Sequence, residues 1–292
     1  MFSILYAFIW LITWLPLRFL YLFSDICYPV VYYIARYRRD TVKTNLAKSF
    51  PDKTEKERRT LERRFYHYFC DLFIESIYEM HLSEKEIRRR VTYGNLDAIL
   101  EQYAQGKSVM MMTAHYGNWE WPSALSLYLP EEFKLYGIYK RLRNQKFDAL
   151  MFSLRSRFGG VPVEKKEILR FMLKLRNEGK SGNFWMISDQ TPNGRYIHFW
   201  TRFLNQDTPT LTGTEQLARK FDYPVFYVEI TRTKRGYYHC EFIPISLEPG
   251  KTAEFEISGI YMQLLQKTIE AKPEYWLWSH RRWKHTRNQT KS

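Results

Sequence analysis

Between residues 113 and 120 the chain reads Thr-Ala-His-Tyr-Gly-Asn-Trp-Glu, which sets His115 and Glu120 five positions apart. Histidine is the side chain best suited to take a proton near neutral pH. An acid held on its far ring nitrogen fixes the tautomer and stabilises the imidazolium as it forms. Such a pair can deprotonate a substrate hydroxyl, which then attacks an acyl carbonyl directly. On a regular helix, positions five apart sit about 140° apart around the axis. The two side chains therefore meet only if His115 lies on a loop and Glu120 in a first helical turn, a bend that Gly117 and Asn118 would permit. Spacing alone is weak evidence, because composition yields roughly 0.7 chance pairs of this kind, and His81 with Glu86 is one of them. That pair sits in a polar helical stretch with no buried strand before it. His115 follows Ser108 to Thr113, a short apolar run that reads as a buried strand. A satisfied structural histidine is the alternative reading.

The elements around this segment alternate. Phe133 to Tyr139, Gly182 to Ser188 and Pro224 to Thr231 read as further strands, and Tyr237 to Ile245 follows as a hairpin with Lys234-Arg235-Gly236 as its turn. Helical stretches fall at 120–129, 144–157, 165–179, 210–221 and 253–271. Upstream, residues 40 to about 106 are helical, with Phe65, Phe69, Leu72, Phe73, Ile77 and Met80 recurring at three- and four-residue steps. The pattern predicts an α/β fold: a single domain over residues 36–292, with a central mostly parallel or mixed sheet flanked by helices. With 292 residues the chain is long enough for it.

From Met1 to Ala35 the only charged side chains are Arg18 and Asp25. Residues 2 to 23 as a helix would run roughly 33 Å, about a bilayer core. No basic leader or small-residue cleavage site precedes Pro16, so residues 1–35 read as a retained membrane anchor. Pro16 and Arg18 interrupt the run, and two shorter helices lying in one leaflet are the alternative to a straight span; a buried core helix is the soluble one. Arg36, Arg38 and Arg39 follow, which under the positive-inside rule places the rest of the chain in the cytoplasm. The net charge of +14 suits anionic lipid headgroups or nucleic acid. A 17% aromatic content favours a membrane interface. A nucleic-acid binder would account for the charge but not for the apolar N-terminus, so no nucleic acid is expected as a partner. Cys27, Cys70 and Cys240 form no CxxC pair and read as three packed thiols in a reducing compartment.

His115 to Glu120 (HYGNWE) resembles the His-x4-acid block of the lysophospholipid acyltransferase superfamily, and within it the lipid A late (lauroyl/myristoyl) acyltransferases. Tyr139, Arg141 and Asn144 resemble that family's Tyr-x-Arg-x-x-Asn stretch, Arg155 to Gly160 its basic Gly-ended block, and Ser188-Asp189-Gln190 its Asp-Gln element. Pro273 to Trp276 with Trp278 and Arg281-Arg282-Trp283-Lys284 resembles its C-terminal block, the most specific of the matches. Tyr116 stands where the family often has Phe. No Glu-Gly-Thr-Arg block is present, which weighs against a glycerolipid acceptor.

The resemblance implies a membrane-bound O-acyltransferase at the cytoplasmic side of an inner membrane. Acyl carrier protein or acyl-CoA would be the donor, and an anionic lipid or glycolipid such as a lipid A precursor the acceptor. No metal or organic cofactor is implied. His115 would be the general base and Glu120 its orienting acid. Arg155 and Arg157 would bind a headgroup phosphate, or stand as exposed cations on a helix end. Asp189 would pair with one of these arginines or cap the next turn. Asn118 would be an oxyanion donor or a turn residue, and Tyr139, Arg141 and Gln190 would complete the substrate contacts. Trp276, Trp278 and Trp283, interleaved with Arg281, Arg282, Lys284, Arg287 and Lys291, suit an anionic membrane surface, or a helix packed on the core.

Overall fold

The structure, a computed structural model, describes residues 9–287. Lys291 of the basic C-terminal run and the first eight residues of the expected anchor lie outside them. The apolar N-terminus does not continue as one straight helix: the chain turns at Thr13 to Leu15, and helix α1 (Leu17–Pro29) starts after Pro16. Proline lacks the amide hydrogen and crowds the preceding turn, so the break falls where it stands. A π-helical turn, Val30–Ile34, follows. No helix among the described residues is long and apolar enough to cross a membrane. α1 buries Leu17, Leu20, Tyr21 and Ser24 while Phe19, Leu22, Phe23 and Ile26 face outward. It is apolar on both faces, and only one of them is covered by protein.

α2 (Arg39–Ser49) leads to α3 (Glu55–Tyr78), the longest helix of the described residues. Its start is fixed by a capping box in which the Thr54 hydroxyl accepts the Glu57 amide while Glu57 accepts the Thr54 amide at 2.7 Å. The expected periodicity is present, with Phe65 and Leu72 in the core, but Phe73 on the next face is exposed. α4 (Glu84–Arg90) is capped by Ser83, and α5 (Leu96–Ala104) follows β1 (Val91–Gly94).

The core is a seven-stranded sheet in the order β1-β9-β8-β2-β5-β3-β4. Its members are β1, β2 (Val109–Thr113), β3 (Leu135–Tyr139), β4 (Val161–Glu164), β5 (Asn183–Ile187), β8 (Val225–Lys234) and β9 (Tyr237–Ser246). Every pairing is parallel except the β8–β9 hairpin. β2 is buried along its whole length, as a central parallel strand must be. β6 (Phe199–Phe203) and β7 (Gln206–Thr210) form a separate antiparallel ribbon. α6 (Gln145–Ser156), α7 (Ile168–Asn177), α8 (Gly213–Phe221) and α9 (Glu256–Ala271) complete the layers. Buried residues form one cluster on each side of the sheet. The single α/β domain with a mostly parallel sheet is thus present.

Candidate active site

The parallel register of β2 and β5 aligns Thr113 with Ile187. Two residues beyond each strand lie His115 and Asp189, so the register alone brings these side chains together at the carboxyl end of the sheet, where open α/β sheets bind ligands. His115 Nδ1 lies 2.7 Å from Asp189 Oδ1, and the His115 backbone amide donates to Oδ2 at 3.0 Å. Trp276 Nε1 donates to the same Oδ2 at 2.9 Å. Burial by itself would raise the Asp189 carboxyl; the His115 charge and the hydrogen bonds from His115 and Trp276 outweigh it and hold the group below the usual carboxylate range. Asp189 is therefore an ionised acceptor. It fixes the imidazole proton on Nδ1 and leaves the Nε2 lone pair outward, 3.2 Å from the Gln190 side-chain amide.

Glu120 does not hold the ring. Its carboxylate forms a two-pronged pair with Arg155 (Nε to Oε2 2.9 Å, Nη2 to Oε1 2.7 Å). The cause is the turn: Gly117 at φ 58° sends the chain away from His115, and Trp121–Tyr128 is a 3-10 helix rather than an α-helix. A Cβ on Gly117 would come within 3.0 Å of Ile230 Cγ2, which adds to the need for glycine there. Behind Glu120 lies fully buried Glu79, which burial pushes well above the usual carboxylate range, with Glu120 adding to the rise.

His115, Glu120, Tyr139, Arg155 and Gln190 all line one groove of about 1230 Å³, whose remaining wall is largely apolar and includes Ile138, Leu150, Leu154, Trp185, Met186 and Leu217. Asn118, Arg141, Arg157 and Asp189, also expected among the substrate-binding residues, do not line it. The Asn118 amide is used internally: Nδ2 donates to Glu75 and Oδ1 accepts from the Glu120 and Trp121 amides. Asn118 is a wholly buried turn residue that does not line the groove. Arg141 is exposed and pairs with Glu164 at 3.3 Å. Arg157 donates to the Leu82 carbonyl at 3.1 Å. Asp189 pairs with neither arginine. The chance pair is dispersed: His81 packs on Trp10 and Trp14, and Glu86 pairs with Arg90.

The C-terminal tryptophans are core, not membrane interface: Trp276 and Trp278 are buried and Trp283 partly so. Residues 275–277 pair with the His115 loop, the Gly117 amide donating to the Tyr275 carbonyl at 2.9 Å and the Leu277 amide to the His115 carbonyl at 3.1 Å. Arg282 is wholly buried. Burial brings its guanidinium down to about 10 while Asp189 opposes that fall, so it stays charged at neutral pH. Of the three thiols, Cys70 and Cys240 are buried, but Cys27 is exposed on α1.

A histidine bonded to a buried carboxylate at the carboxyl end of a parallel sheet, on the wall of a largely apolar groove, has the arrangement a general base needs. The chain belongs to the bacterial lipid A biosynthesis acyltransferase family, whose model matches residues 1–285, and it is an acyltransferase. Curated relatives cover nearly its whole length. The lipid A biosynthesis lauroyltransferase of Escherichia coli (strain K12) is 25% identical over 294 residues, 94% of this chain and 92% of the relative. The palmitoleoyltransferase of the same organism is 22% identical over 287 residues, 94% and 91% of the two chains. A lipid A biosynthesis acyltransferase of Haemophilus influenzae is 22% identical over 249 residues, 84% and 75%.

Proposed function

We propose that this acyltransferase moves a fatty acyl group from an acyl carrier protein or CoA thioester to a hydroxyl of a lipid A precursor or related anionic glycolipid. The observation that carries the reading is the Asp189–His115 pair, with Nε2 free of carboxylate contact on the wall of the apolar groove. The acyl chain lies in the groove with its thioester carbonyl beside His115. Nε2 takes the proton of the acceptor hydroxyl as the oxygen attacks the carbonyl; the C–S bond breaks, and the departing thiolate takes the proton back. General bases of this kind contribute about 10²–10⁴-fold. No acyl-enzyme is required. Gln190 yields its contact to the incoming hydroxyl, and the Glu120–Arg155 pair, nearly neutral as a unit, stiffens the wall beside the reacting carbon.

Residues 1–35 act as the membrane anchor in this reading, with the outward face of α1 in the cytoplasmic leaflet of the inner membrane. The apolar exposed side chains and the nearby cations Arg18, Arg36 and Arg38 support that placement. The test is transfer from a labelled acyl carrier protein thioester to a Kdo-containing lipid A precursor in detergent, wild type against His115→Ala. Transfer lost in the variant supports base and acceptor together. Wild type that instead acylates lysophosphatidic acid or an aminolipid would keep the chemistry and replace the acceptor.

A further inference from the structure

Glu75 lies in α3 with no exposed surface, and the chemistry above does not use it. A carboxylate is costly to bury unless its oxygens are hydrogen-bonded. Here Oε1 accepts from the Tyr21 hydroxyl at 2.7 Å, and Oε2 from the Tyr238 hydroxyl at 2.6 Å and from Asn118 Nδ2 at 2.9 Å. Arg232 lies 3.8 Å from Oε1. The Glu75 backbone carbonyl accepts from Trp121 Nε1 at 3.1 Å. These partners come from α1, from the β8–β9 hairpin and from both ends of the turn after His115.

An apolar side chain would join the same elements with less desolvation. Burial raises the Glu75 carboxyl, while Arg232 and the hydrogen bonds from Tyr238, Tyr21 and Asn118 oppose that rise. With three donors turned toward it the group acts as an acceptor, and that adds direction. It compels Asn118 to turn Nδ2 toward α3 and therefore Oδ1 toward the backbone amides of Glu120 and Trp121, both at 3.1 Å. Those two bonds form the turn that presents Glu120 to Arg155. Tyr68, two turns earlier on α3, holds the Gly117 carbonyl at 2.6 Å, so the helix grips the turn at two points.

We propose that Glu75 is a positioning residue: through Asn118 it sets the turn that carries Glu120 to the groove, and through Tyr21 it makes that turn depend on the seating of the N-terminal helix α1. Calling the turn catalytic rests on the acyl-transfer reading above; the geometry of the junction does not. Asn118→Asp sets a second carboxylate against Glu75 and should open the turn. Adding Glu75→Gln restores the bond with its polarity reversed. The side-chain amide introduced on α3 then donates to one oxygen of the carboxylate introduced in the turn, while the other oxygen still accepts from the two backbone amides.

The experiment uses the full chain in detergent, with three readouts: amide exchange over residues 117–122, kcat and KM for the acyl donor, and Tm. Asn118→Asp should speed exchange of that segment about tenfold or more. It should lower kcat about 10²-fold, the scale of a 1 Å misplacement, with KM little changed. The double variant should recover most of both, whatever its Tm. Tyr21→Phe should speed exchange of the same segment. The proposal is overturned if the double variant is no better than Asn118→Asp, if every effect follows Tm, or if Tyr21→Phe leaves the segment unchanged. Failure of wild type to acylate any lipid would sink the acyl-transfer reading, and the exchange data would still decide the junction.

Discussion

Replacing Asp189 with Asn keeps the side-chain volume and leaves one acceptor oxygen where there were two. Oδ2 receives two donors, the His115 amide and Trp276 Nε1, while Oδ1 receives only His115 Nδ1. The asparagine oxygen satisfies more donors in the Oδ2 position, so its NH₂ group faces the imidazole. A donor there moves the ring proton to Nε2 and removes the lone pair that must take the hydroxyl proton. The same tautomer error in a Ser-His-Asp triad costs about 10⁴-fold in kcat, or about 5 kcal/mol of barrier. We expect a loss of about 10³–10⁴-fold, with donor KM little changed because Asp189 lies behind the ring. Single-turnover transfer from a labelled thioester measures it. A second consequence follows from the depressed carboxyl. Its stabilisation is fully present above the ordinary aspartate value of about 3.9 and is lost as pH falls through the lower folded value. The variant should therefore lose stability at neutral pH and show a flatter acid limb. If Asp189→Asn kept more than a tenth of wild-type kcat while Glu120→Gln lost about 10³-fold or more, the reasoning would be refuted, and Glu120 would be the acid that reaches the ring during turnover.

Two further outcomes test the groove and the membrane face. Gly137 on β3 lines the groove, and a Cβ built there meets no atom within 4 Å; Gly137→Leu should fill free space and shift donor preference to shorter chains. At about 0.8 kcal/mol per excluded methylene, losing four would disfavour the longer donor by about 3 kcal/mol, read from competing donors of different length. Leu22 and Ile26 are 60% and 65% exposed on α1, and Leu22→Glu with Ile26→Glu should lower partition onto anionic vesicles by about 10²-fold or more, from two apolar side chains worth ~1.5–3 kcal/mol each. Binding that survives both changes at high salt would remove the outward face of α1 from the membrane contact.

Much of the sheet was legible because its strands are apolar runs bounded by turns. β2, β3, β5 and the β8–β9 hairpin fall within a few residues of the expected runs. β4 was not, because Pro162 interrupts a four-residue strand; it is tolerated there because β4 is an edge strand. β1 is equally short and emerges directly from the Arg88–Arg90 run. His115 stands just past a buried strand, as expected, but the carboxylate that reaches its ring is Asp189, where Glu120 was expected. Sequence spacing favours Glu120 at five residues, whereas strand register delivers Asp189 from 74 residues away. The signal that could have found it was present: two adjacent parallel strands, each followed two residues later by a polar side chain.

The same logic explains why the C-terminal block is so specific in sequence yet belongs to the core. Trp276 closes the second oxygen of Asp189, and the backbone on either side of it pairs with the His115 loop. Burial raises the Asp189 carboxyl, and the Trp276 donor works with the His115 charge and hydrogen bonds to hold it down. Trp278 and Trp283 fix the segment in turn, Trp278 Nε1 donating to the Pro273 carbonyl at 2.6 Å and Trp283 Nε1 to Thr208 Oγ1 at 2.7 Å. Each indole combines a large buried surface with one directed donor, which phenylalanine cannot supply. A cluster of tryptophans among cations therefore has two physical uses, an interface belt or a directed scaffold, and the decisive observation is where the indole N–H groups go. Here they end on protein acceptors, one of them the carboxylate bonded to His115.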